Sequence, residues 1–75
     1  MSVELSKEEK TQIINSHLRN LAYSKYSLEI DILQENAKTV PSDTAVASLQ
    51  SLITEVSSQL SVLNAELDAV SAAQE

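Results

Sequence analysis

Eight apolar residues in the second half of the chain, Val46, Leu49, Ile53, Val56, Leu60, Leu63, Leu67 and Val70, recur at alternating steps of three and four without a break. Residues so spaced share one face of a helix, so this segment carries a heptad seam that another helix must cover. The first half supplies a matching series in Ile14, Leu18, Leu21, Lys25, Leu28 and Ile32. Between the two lies Pro41, the only proline, which pushes Val40 before it out of the helical region.

The ends of both helices are written in local chemistry. Ser6 followed three residues later by Glu9 forms a capping box, and Glu8 and Glu9 suit the positive end of the helix dipole. Helix 1 is expected over about residues 7–37, with Lys38 complementing its carboxyl end. Ser42 or Asp43 caps a second helix over about 43–73, leaving a turn at 38–42. Each helix is then roughly 46 Å long at 1.5 Å per residue, and two equal helices joined by a short link predict an antiparallel hairpin.

Folding about Val40 sets Leu28 near Ile53, Leu21 near Leu60, Leu18 near Leu63 and Ile14 near Leu67. Large side chains then face large ones. Lys25 interrupts the apolar series, and two readings stand. Its ammonium lands level with Glu55 and pairs with it at the seam margin, or its stem lies on the seam while its head reaches water.

Composition closes off other folds. Glycine, Phe and Trp are absent, so the usual material of strands, tight turns and phosphate-cradling loops is missing and the class is all-α. A chain of 75 residues is one domain over 1–75, and at this length only about 60% of the unfolded surface is buried on folding. No cysteine is present to staple it or to supply thiolate ligands, so oligomerisation is the expected source of added stability. No apolar run approaches the ~20 residues of a membrane span, and residues 1–10 are too polar for a signal peptide, which predicts a soluble intracellular protein.

Charge is uneven along the chain. All five basic residues, Lys7, Lys10, Arg19, Lys25 and Lys38, precede Pro41, whereas Asp43, Glu55, Glu66, Asp68 and Glu75 after it are all acidic and supply most of the net charge of −6. A phosphate backbone would be repelled, so no nucleic-acid partner is expected. No membrane partner is expected either, because lysines do not flank the apolar stripes of this acidic chain.

Each helix carries more than its hairpin seam. Tyr23, Tyr26, Ile30, Leu33 and Ala37 form a second three-four series on helix 1, displaced by about 140° from the first at 100° per residue. Either this stripe broadens the hairpin core or, since an antiparallel neighbour on the first seam does not reach so far round, it is the candidate oligomer interface. Helix 2 has a stripe of small residues: Ala47, Ser51, Thr54, Ser58, Ser61, Ala65, Ala69 and Ala72. That face either receives the tyrosine stripe of another subunit or is a serine-rich surface facing water. A hairpin that self-associates into a helical bundle follows, most simply a two-fold dimer of four helices, with a trimer of hairpins as the other arrangement.

Catalytic chemistry has little to work with. His17 is the only histidine, and position 14, where a helical-bundle metal site requires Glu, is Ile. Two structural readings stand: a histidine satisfied by a hydrogen bond to Asn20 one turn on, or one that faces solvent. One imidazole among many serines assembles no nucleophile, base and oxyanion hole, so neither an enzyme nor a cofactor or metal is expected.

The run Lys7-Glu8-Glu9-Lys10-Thr11-Gln12-Ile13-Ile14-Asn15-Ser16-His17-Leu18, followed by Asn20, Tyr23, Lys25-Tyr26 and Glu35-Asn36-Ala37, resembles small helical proteins of tailed phages that infect marine cyanobacteria. The likeness covers about residues 7–37 and gives way to generic coiled-coil sequence. It implies a viral accessory or virion-associated protein in the cytoplasm of an infected bacterial host. Such proteins carry no agreed activity, so it assigns no site residues. The expected function is a homo-oligomeric helical interaction or structural module. The alternative is a small acidic inhibitor or adaptor that captures a host protein, presenting Tyr23, Tyr26, Ile30 and Leu33 as a helix-in-groove ligand or its anionic second helix as a decoy, and a host or virion protein is the further candidate partner.

Overall fold

A computed structural model describes residues 3–73, so residues 1, 2, 74 and 75 at the ends of the expected domain lie outside the described residues. Two helices, α1 (Lys7–Asn36) and α2 (Asp43–Ala72), pack against each other as an antiparallel hairpin, and the described residues contain no strand. Each helix stops one residue short of its expected end, because Ala37 and Ala73 serve as C-caps.

The amino-terminal cap of α1 is a complete capping box. Ser6 Oγ accepts from the Glu9 N–H at 3.1 Å, and Glu9 Oε1 accepts from the Ser6 N–H at 3.0 Å. Two donors at the helix start are thereby satisfied. Of the two candidates for the cap of α2, Ser42 takes the role, its Oγ accepting from the Ala45 N–H at 3.1 Å. Asp43 becomes the acidic first residue of that helix.

The turn is made without glycine. No described residue has a positive φ, and α1 ends at Ala37 in the right-handed region, its N–H shared between the carbonyls of Leu33 and Gln34. Such three-residue closure satisfies orphan carbonyls without a left-handed residue. Glu35 then spans the turn: Oε1 accepts from Lys38 Nζ at 2.9 Å and Oε2 from the Ser42 N–H at 3.0 Å. Lys38, expected to complement the carbonyls at the end of α1, is paired with this carboxylate. A charge-assisted bond to a full negative charge outweighs attraction to the partial charge of a helix end.

At the opposite end Lys7 Nζ donates to the carbonyl of Ala73 at 3.3 Å, which sets the start of α1 beside the end of α2. Between these two ties, Ile14, Leu18, Leu21, Leu28 and Ile32 on α1 and Val46, Leu49, Ile53, Val56, Leu60, Leu63, Leu67 and Val70 on α2 are all buried or half-buried. Lys25 is half-buried with them, and no ion pair joins it to Glu55. The inward alternation continues at both ends of α1, through Lys7, Thr11 and Glu35. Only Ile14 and Val70 are buried among the described residues, each still 8% exposed, because a helix with one neighbour has one covered side.

The rod measures 60 × 21 × 14 Å, with a Cα radius of gyration of 17.3 Å. A compact chain of this length would have a radius of about 11 Å.

Candidate interaction surface

Helix α1 carries an apolar ridge on the side away from α2. Tyr23 is 79% exposed, Tyr26 65% and Leu33 64%, and Ala37 is exposed at the end of the same line. Ile30 is half-buried, with Tyr26 one turn before it and Leu33 three residues after it on the same helical face. Neither tyrosine hydroxyl has a hydrogen-bond partner among the described residues. The ridge thus presents apolar area together with two free donors.

A groove opens between the helices on the other flank. His17, Asn20 and Leu21 from α1 and Ser58, Gln59, Val62 and Leu63 from α2 line a concavity of about 480 Å³. Leu21 and Leu63 belong to the seam and form an apolar floor, while His17, Asn20, Ser58 and Gln59 supply polar groups around it. No hydrogen bond joins His17 to Asn20, and both are exposed. Val62 is 67% exposed and belongs to neither stripe on α2. It precedes the seam residue Leu63 by one position, which places it about 100° round the helix, and Ile13 and Leu52 stand in the same relation to Ile14 and Ile53. That one-residue offset is the signal by which the groove flank is legible in the sequence.

The faces differ in charge. Among the described residues α2 has Asp43, Glu55, Glu66 and Asp68 and no base, whereas Arg19 on α1 stands one turn before Tyr23 on the line of the ridge. All eight members of the small-residue stripe on α2 are exposed, and the Thr54 hydroxyl donates back to the Gln50 carbonyl at 3.1 Å. A larger hollow of about 620 Å³ lies where the start of α1 meets the end of α2, and it mixes Leu5 and Val70 with the charged Lys7, Glu9, Lys10 and Glu66. Ionised groups in water favour hydration over an apolar partner.

Two carboxylates have altered acidity. The Ser6 backbone and side chain hold Glu9 below the ordinary glutamate value, and Lys38 followed by the Ser42 N–H does the same for Glu35. Both effects stabilise the ionised form of these two groups. No group of three or more His, Cys, Asp or Glu side chains converges as a metal site among the described residues. No helix among them is long and apolar enough to cross a membrane. Compared with known proteins, the chain matches no family model, no curated protein and no solved structure.

Proposed function

We propose that the chain is a non-enzymatic helical module whose activity is association with further copies of itself, as an interaction or structural component. The observation that carries this reading is surface area. The hairpin exposes 5824 Å² at a mass of 8.2 kDa. A compact monomer of that mass exposes about 4,500 Å², so the excess is about 1,300 Å². A stable protein contact removes about 800 Å² per partner, so one such contact accounts for much of the excess. The ridge of Tyr23, Tyr26, Ile30, Leu33 and Ala37 is the apolar part of that surface farthest from the seam. The setting, an infected bacterial cytoplasm or a virion, rests on the likeness of residues 7–37 alone.

Mass in solution tests the reading. Sedimentation or light scattering is expected to give a multiple of 8.2 kDa for the unaltered chain. Tyr26→Glu with Ile30→Glu is expected to lower the multiple while helicity is partly retained. An unchanged subunit number would reject the ridge as the interface. A monomer with quencher-accessible tyrosines would instead support the inhibitor or adaptor reading, in which the same residues capture a foreign protein.

A further inference from the structure

The geometry points to a specific occupant for the groove at His17, Leu21, Ser58, Val62 and Leu63: the tyrosine ridge of a second copy of this chain, docked head to tail. This inference rests on the self-association proposed above and names its contact. Position is the first argument. At 100° per residue, His17 and Asn20 lie about 60° and 120° from Ile14 in one sense, Leu33, Tyr26 and Ile30 lie about 100°, 120° and 160° in the other, and Tyr23 stands opposite Ile14 at about 180°. Ridge and groove therefore occupy opposite flanks of α1 and cannot both face one partner. A two-fold bundle needs each hairpin to offer one shared apolar face, whereas this hairpin has a convex apolar line on one side and a concave one on the other. Contacts between unlike surfaces of this kind propagate into rings or open chains.

Shape, area and charge select the same pairing. Ridge against ridge sets convex on convex, and a ridge on the small-residue stripe meets one helix, whereas a ridge in the groove meets two. Two tyrosines bury roughly 150–250 Å² each, and Ile30, Leu33 and Arg19 beside them bring the contact toward the ~800 Å² per partner that a stable one needs. The unpartnered tyrosine hydroxyls meet His17, Asn20, Ser58 and Gln59, each able to hydrogen-bond. Glu55 and Glu66 bracket the groove one turn to either side of Gln59 and Val62, and the ridge has Arg19 one turn before Tyr23 and Glu29 one turn before Leu33. Contact between two α2 helices would bring acidic groups together with no described base on either.

Complementation provides the experiment. Ile30→Glu spoils the ridge and leaves the groove, and Val62→Glu does the reverse. Each variant alone is expected to sediment as an 8.2 kDa monomer, while the unaltered chain forms a concentration-dependent series. An equimolar mixture is expected to double in mass and stop there, because one intact ridge meets one intact groove and both remaining ends are blocked. An assembled Val62→Glu variant, or a mixture that stays monomeric beside an associating parent, overturns the pairing and leaves self-association standing. A parent that is monomeric at every concentration overturns both. Circular dichroism verifies that the variants remain helical. Should either unfold, Ala22→Cys beside the ridge and Ser58→Cys in the groove take their place, since the chain has no other cysteine. Oxidation of their mixture is expected to give predominantly the mixed disulfide by mass, and a statistical or homodimeric product overturns the pairing.

Discussion

Glu35 joins the two helices at their turn through one carboxylate, and Glu9 closes the cap at the opposite end of α1. Both are held below the ordinary glutamate range in the folded chain, Glu9 by the backbone and hydroxyl of Ser6 and Glu35 chiefly by Lys38 and the Ser42 N–H. A lowered folded-state value means that the unfolded chain takes up protons first. The stability these groups contribute is therefore complete above the unfolded value of about 4.3 and is lost as pH falls through the folded values. Thermal midpoints are expected to decline below about pH 4, and the variant Glu9→Gln with Glu35→Gln should show a flatter acid limb in circular-dichroism melts. The capping box was legible in the sequence because Ser6 and Glu9 interact over three residues. The Glu35 tie was not, because its Ser42 partner lies seven residues away across a turn whose path only the folded chain defines.

At the scale of the helices, the seam divides positions that matter to packing from those that do not. Leu60→Ala removes half-buried apolar volume, with an expected loss of about 2 kcal/mol, the low end for such truncations because the site is only partly enclosed. Ser51→Ala on the exposed small-residue stripe should change stability by less than about 0.5 kcal/mol. Lys25→Leu is expected to stabilise the hairpin by about 1 kcal/mol, since a half-buried seam position without an ion pair to Glu55 then gains apolar contact. Urea midpoints compare all three, and a Lys25→Leu variant less stable than its parent would show that the ammonium contributes to alignment. The seam was readable because a three-four alternation admits one helical face. Which lysine reading holds depends on distance to the facing helix, and no spacing rule supplies that.

The whole molecule is a rod with one seam, and its surface is large for its mass. If association covers part of that surface, the melting midpoint rises with protein concentration, because binding confined to the folded form stabilises it by mass action. A midpoint that stays constant over a roughly hundredfold range would count against association. By itself the sequence determined the helical class, the capping box of α1, the matching halves of the seam and the hairpin, since each follows from interactions within a few residues or from a periodicity that only a helix satisfies. The tertiary structure alone decided that the flank marked by Ile13, Leu52 and Val62 holds a hollow between the helices, at His17, Leu21, Val62 and Leu63. The physical reason is that periodicity fixes angles around one helix axis, whereas a groove exists only between two axes and takes its shape from how they pack.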